Sequence, residues 1–344
     1  MFRCAVYCDD MPTPTTRGPG HSIEDFFPAN GQVGAVRLRV IPPPPAPPAG
    51  SLPPEPEDIA AAVEPLAALL AGRRFLVITG AGISTDSGIP DYRSPGSPPR
   101  RPMTLQQFLS SPAYRAHYWA RNHLGWRYMS ARRANLGHRA LADMERDGFS
   151  SGVVTQNIDL LHDRAGQRTV VHLHGRYDRV RCLSCGRTVS RADQDDRLVA
   201  ANPGWRERLL RLADVEVAPD ADAVLGATTH FQVVDCEVCG GVLTPDVVFF
   251  GGRARPDRTA RAAELADGAQ GILVAGSTLS VFGVRRLVGR VARRGDPVAI
   301  VNRGATRCDH VADLTLSAST TRALPALLRA LRSVRNGSAA TGAV

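Results

Sequence analysis

The sequence predicts an α/β protein: a Rossmann-type doubly wound parallel sheet interrupted by a small, inserted zinc-binding subdomain. Three observations predict it. Short apolar runs alternate with helix-spaced amphipathic runs along most of the chain, the texture of strand and helix units that pack as a parallel sheet. One strand-forming run, residues 75–79, opens through a tight glycine turn at Gly80-Ala81-Gly82. Two Cys-x-x-Cys pairs, Cys182/Cys185 and Cys236/Cys239, sit where the alternation gives way to turns and scattered charge.

The elements follow in chain order. Residues 42–48 are nearly all proline, and Pro53, Pro54 and Pro56 follow, a composition that favours extended, solvated backbone. Residues 1–55 are therefore expected to be a disordered Pro-rich tail, with Met11 as an alternative start. Residues 58–70 place Ile59, Val63, Leu66 and Leu70 on one helical face, interrupted by Pro65. After the strand at 75–79, residues 104–133 read as helices with an aromatic cluster at Tyr114, Tyr118, Trp119, Trp126 and Tyr128. Residues 136–147 form an amphipathic helix, 152–155 a short buried strand and 160–165 the helix after it. Past Pro245 the strands are expected at 247–250, 271–275, 298–302 and 314–316, and the helices at 260–267, 284–294 and 324–331. The organisation expected is a Rossmann-type domain in two parts, 56–180 and 245–334, around a subdomain at 181–244, with a tail at 335–344.

Composition bounds the function. At 344 residues and 43% hydrophobic content the chain can bury a proper core. No run of 18 apolar residues exists, so no membrane span is expected. The net charge of +9 comes mostly from scattered arginine interleaved with acids. No basic block is interleaved with aromatics, so nucleic-acid binding is not expected. Residues 1–10 are short and acidic for a secretory signal. A reducing, cytoplasmic compartment is the expectation, and there paired cysteines read as metal ligands rather than disulfides.

Four thiolates from two Cys-x-x-Cys pairs close a tetrahedral shell, which leaves no position for water and makes one zinc structural. The 50 residues between the pairs exceed a usual zinc ribbon, and a redox pair or free thiols is the rival reading. The Gly80 turn brings backbone close enough to hold a phosphate. It departs from the ordinary dinucleotide fingerprint, because Thr85 stands where a third glycine is expected and no acid follows about 20 positions on. Gln156, Asn157 and Asp159 sit at the C-terminal end of a strand, where open α/β sheets bind ligands; an Asx turn capping the next helix is the alternative. If residues 170–174 are a strand, His172 and His174 share one face, and either imidazole could act as a base.

The run Gly80–Ser84, followed by Gly88-Ile89-Pro90-Asp91-Tyr92-Arg93, resembles the first signature of the sirtuins, NAD-dependent protein lysine deacylases. Thr155-Gln156-Asn157-Ile158-Asp159, His172-Leu173-His174-Gly175 and the two cysteine pairs match further blocks, in order, over residues 56–328. The resemblance implies NAD held by Gly80, Ala81, Gly82, Ser84, Asp91, Tyr92 and Arg93. Gln156 would orient the nicotinamide ribose, and Asn157, Ile158 and Asp159 would line the nicotinamide pocket. Gly276, Ser277 and Thr278 would receive phosphate or ribose, and Asn302, Arg303, Gly304 and Thr320 the adenosine end. It implies Gln156, Asn157 and His174 as catalytic residues, with His174 rather than His172 as the base toward a ribose hydroxyl. An acyl-lysine peptide would add as a strand between Phe250-Gly251 and residues 278–281. The implied products are free lysine, nicotinamide and O-acyl-ADP-ribose. A mono-ADP-ribosyltransferase using the same pocket is the alternative. Gly252 departs from the acid often found after Phe-Gly in the family, which weakens an edge contact to the peptide.

Tyr118-Trp119-Ala120-Arg121-Asn122, Asn202-Pro203-x-Trp205, Pro219-Asp220-x-Asp222 and residues 245–251 resemble the class II branch. That branch includes a mitochondrial member with weak deacetylation, lipoamidase and ADP-ribosyltransferase activity. Tyr118-x-x-Arg121 is similar to the pair with which desuccinylating sirtuins hold an acidic acyl tail. Tyr118, Arg121, Val247 and Phe249 are thus the acyl-pocket candidates, with a surface arginine beside a core tyrosine as the alternative for the first two.

Overall fold

A computed structural model describes residues 54–91, 102–205, 207, 228 and 230–341. Residues 1–53, Tyr92, Arg93, the block at 219–222 and the last three residues lie outside the described residues.

The first helix, α1 (Ile59–Leu70), starts where Asp58 accepts hydrogen bonds from the backbone of Ala60 and Ala61, a side-chain cap on otherwise unpaired N–H groups. Pro65 lies inside α1 without ending it. A proline there costs about 3 kcal/mol. Burial of Val63, Leu66 and Leu70 offsets that cost. Strand β1 (Phe75–Thr79) follows. Helices α2 (Leu105–Ser110) and α3 (Pro112–Ser130) start at capping residues Thr104 and Ser111, and α4 (Leu136–Arg146) at Asn135. Strand β2 (Ser150–Thr155), the short α5 (Leu161–Arg164) and β3 (Val170–His172) complete the first part.

Strands β4 (Gly175–Cys182) and β5 (Thr188–Ser190), helix α6 (Arg191–Ala201) and strand β6 (Leu243–Val247) form the inserted module. Then come α7 (Pro256–Asp267), β7 (Ile272–Ala275), α8 (Phe282–Arg293), β8 (Val298–Val301), β9 (Leu314–Leu316) and α9 (Thr320–Thr341).

The large sheet has the order β3-β2-β1-β7-β8-β9, all parallel. Strands from both sides of the module therefore share one sheet. Alternation along β1 shows why it is doubly wound. Phe75 and Val77 join the core under α1, α4 and α9. Leu76 and Ile78 join the opposite core under α7 and α8. A strand apolar on both faces must be covered on both faces.

Three expectations are corrected. The strand expected at 247–250 ends at Val247 and belongs to the second sheet, β5-β4-β6, where it pairs antiparallel with β4. Pro245 is tolerated because β6 is an edge strand of that sheet. The small sheet thus reaches past 181–244 on both sides. The strand expected to carry both histidines stops at His172, with a turn at Leu173 and His174. The last helix runs to Thr341, through residues expected as a tail.

Candidate functional site

In a parallel sheet the loops after the strands emerge at one edge, and here four of them interlock. The Gly82 N–H donates to Gly276 O at 2.9 Å, Gln156 N–H to Thr79 O at 3.0 Å, and Gly276 N–H to Val301 O at 2.9 Å. The glycines are required by contact. A Cβ on Gly82 would stand 2.9 Å from Gly276 O, and one on Gly276, at φ +63°, only 2.4 Å from Ile83 N. Ser84, Thr85, Asp86 and Ser87 are capping residue types, yet no α-helix begins there. Two short 3₁₀ turns, Ala81–Ile83 and Thr85–Ser87, curl there and bury Ser84. Leu160 and Leu279, just past two of these loops, hold φ of 58° and 54°. Non-glycine residues rarely adopt this conformation, and it clusters at ligand sites.

A cavity of about 1300 Å³ lies over these loops. That exceeds the usual volume for one small ligand. Gly80, Ala81, Gly82, Ser84 and Asp91 line it, as do Gln156, Asn157, Ile158, Asp159 and His174. Gly276, Ser277, Thr278, Asn302, Arg303 and Thr320 line it too, together with Tyr118, Val247 and Phe249. Of the candidates within the described residues, the structure leaves out Arg121 and Gly304. Gly304 stays beside the site, its carbonyl accepting from Asn302 Nδ2 at 2.9 Å. Arg121 faces elsewhere: its guanidinium lies 2.9 Å from His117 Nε2, one helical turn back.

The polar floor is tied together. Ser84 Oγ donates to Asp159 Oδ2 at 2.6 Å, and Asn157 Nδ2 donates to Ser84 Oγ at 3.1 Å and Gly80 O at 3.0 Å. Gln156 Nε2 donates to Ser277 Oγ at 2.8 Å. Asp159 is also an Asx cap, accepting the Leu161 N–H at 3.0 Å, while it lines the cavity.

His172 and His174 separate. His172 is buried away from the cavity and pairs with Asp163 at 3.0 Å. His174 lines the cavity, with Nδ1 3.1 Å from Gln156 O. A carbonyl only accepts, so Nδ1 carries the hydrogen and Nε2 keeps its lone pair. Burial lowers the His174 pKa below its ordinary 6.5, partly opposed by that hydrogen bond. The imidazole is therefore neutral at pH 7, with a basic nitrogen available.

Sequence reasoning missed His138. It is fully buried, donates from Nδ1 to Asn135 Oδ1 at 3.0 Å, and places Nε2 3.5 Å from Ser84 Oγ. Asn135 carried a visible helix-start signal, but nothing in the sequence linked that helix to the Ser84 loop. Burial pulls His138 down to about 4 against the opposing Asp159 charge. It pulls His117 down to about 4, helped by Arg121, and His162 well below its ordinary value, helped by His138 and His172. These groups stay neutral in the fold, whereas in the unfolded chain each takes a proton near pH 6.5. The unfolded state then binds more protons, so stability present above about pH 6.5 is lost as pH falls toward 4. The thermal midpoint is expected to be flat from pH 7 to 8 and to fall steadily below 6.5. A midpoint that holds or rises down to pH 4.5 would contradict this account.

The four cysteine sulfurs of the module lie within 4.8 Å of one another, with Cys182–Cys239 at 3.5 Å and Cys185–Cys236 at 3.8 Å. Disulfide sulfurs would stand about 2.0 Å apart. A tetrahedron with Zn–S of about 2.3 Å puts its sulfurs roughly 3.8 Å apart. The donor set fits one structural zinc.

A doubly wound sheet with a Cys4 module and a polar cavity at the strand ends defines a nucleotide-dependent enzyme architecture. Residues 80–283 match the Sir2 family model. The chain is 54% identical over 262 residues to "NAD-dependent protein deacetylase 1" of Mycobacterium avium (strain 104), covering 76% of this chain and 93% of that protein. It is 41% identical over 266 residues to "NAD-dependent protein deacylase Sirt4" of Drosophila melanogaster, covering 75% and 84%. A solved structure described as "Sir2-p53 peptide-NAD+" aligns with TM-score 0.58 and 30% identity over 80% of this chain and 98% of that one. The chain belongs to the Sir2 family, the sirtuins.

Proposed function

We propose that this protein removes acyl groups from lysine side chains of proteins and consumes NAD in doing so. The observation that carries this is one continuous cavity joining the Gly80 loop, the Gln156–His174 floor and an apolar chamber at Tyr118, Val247 and Phe249. Bound NAD supplies an activated ribose carbon and the hydroxyl that accepts the acyl group. The chain's own residues do the rest. The Gly80 and Gly276 loops offer backbone N–H groups to phosphates. Half-buried Asn157 with buried Asp159 and Ser84 forms a polar floor for a carboxamide. His174 Nε2 takes a proton from a ribose hydroxyl. Phe250 and Val281, both exposed at the cavity, offer edges between which a peptide can lie.

The acyl chamber is apolar. Met103, Tyr118, Val247 and Phe249 wall it, and Arg121 is not among its lining residues. Apolar acyl chains are therefore favoured over succinyl or glutaryl, which follows the surface-arginine reading of Tyr118-x-x-Arg121. Mass spectrometry of the purified protein with NAD and a panel of acetyl-, succinyl-, glutaryl-, lipoyl- and long-chain acyl-lysine peptides tests both points. NAD-dependent acyl loss with O-acyl-ADP-ribose is the expected result. A gain of ADP-ribose on protein without acyl loss would move the assignment to a transferase. Arg121→Gln should change the glutaryl-to-acetyl ratio by less than about twofold, whereas a selective collapse on glutaryl-lysine would restore Arg121 to the acyl site.

The compartment we infer is cytoplasmic, because the module needs reduced thiols and no described helix is long and apolar enough to cross a membrane. We infer no nucleic-acid partner, since no basic block is interleaved with aromatics in the sequence and some surface arginines are paired with acids, as in Arg290–Asp267 and Arg332–Asp147.

A further inference from the structure

We infer that Glu55, in the segment just ahead of α1, is a specificity residue that makes the nucleotide end of the cavity refuse a 2′-phosphate, so that NAD is used and NADP is not. The inference rests on the reading that NAD occupies the cavity with its nicotinamide toward His174. His174 bonds to Gln156 at the end of β2, and Asn302 and Arg303 follow β8. Between β2 and β8 lie three strand steps of about 4.8 Å each, which separates the two ends of a dinucleotide.

Arg303 lines the cavity at the β8 end. Its guanidinium is paired with Glu55 Oε1, and Arg322, in the first turn of α9, holds Glu55 Oε2 at 2.8 Å. A second Arg322 nitrogen lies 3.4 Å from the carbonyls of Pro56 and Glu57. Residues 55–57 are thus stapled onto the β8 loop and α9, and the expected tail does not extend through residue 55. Two guanidiniums sharing one anion is an arrangement that also suits a phosphate. Glu55 already fills it, with its side chain only 16% exposed. Asp86 adds a second carboxylate at this end, where it lines the cavity and accepts hydrogen bonds from Ser319 and Thr321. In Rossmann-type sites an acid selects the ribose hydroxyl and a free arginine accommodates the 2′-phosphate. Here the carboxylate sits on the arginine. A 2′-phosphate meets like charge and finds both cations engaged, whereas a hydroxyl meets no such conflict.

The test uses the full chain and titration calorimetry with ADP-ribose and 2′-phospho-ADP-ribose, alongside NAD and NADP turnover on an acetyl-lysine peptide. Wild type should bind ADP-ribose in strong preference. Glu55→Gln keeps the shape and removes the charge, and should narrow that preference by about tenfold or more. The double variant Glu55→Gln with Arg303→Gln should lose the gain, with melting curves checking that each variant is folded. An unchanged preference in folded Glu55→Gln, or equal weakening of both ligands, would overturn the inference. A wild-type chain that binds neither ligand would instead overturn the cofactor reading on which it rests.

Discussion

Replacing His174 by asparagine should lower NAD-dependent deacylation by about 10²- to 10⁴-fold, the contribution of a positioned general base, while ADP-ribose binding stays within a few fold. Asparagine can still offer an amide hydrogen toward Gln156 O, so the loop keeps its anchor and only the basic nitrogen is lost. The same change at His172 should act differently. His172 touches Asp163 and lies off the cavity, so its replacement should cost stability before it costs turnover. Single-turnover rates and melting curves on the two variants separate these outcomes. If the His174 variant keeps wild-type turnover, the base lies elsewhere.

Loss of the metal should have the second large effect. The purified chain is expected to carry one zinc, measured by elemental analysis. Cys185→Ser should release it and lower the thermal midpoint by at least about 5 °C, because metal binding free energy is folding free energy in such modules. Activity should fall with it. Cys182 and Cys236 pack in one core with Trp205, Phe231, Tyr118 and Phe249, and the last two wall the acyl chamber. Full activity and an unchanged midpoint in a zinc-free chain would show that the module stands without its metal.

Local chemistry made much of this legible in the sequence. The strand at Phe75–Thr79, the glycine turn after it and the two cysteine pairs each obey rules set by near neighbours: side-chain alternation, steric permission at glycine and ligand spacing. Where a reading failed, a distant partner decided. Pro245 marked a return to the main sheet in the sequence, yet β6 pairs with β4, about 65 residues earlier, and an edge position makes its proline harmless. The strand expected to carry both His172 and His174 ends at His172, because a turn at Leu173 and His174 leads into β4.

By itself, the sequence determined the class of fold, the metal donor set and the kinds of residue available for chemistry, because periodicity, spacing and glycine placement are properties of short stretches of chain. Tertiary structure alone decided that β6 joins the small sheet, that Arg121 pairs with His117, and that Glu55 closes on Arg303 from about 250 residues away. Those outcomes depend on which elements pack together, and packing is settled by surfaces that meet only once the chain has folded.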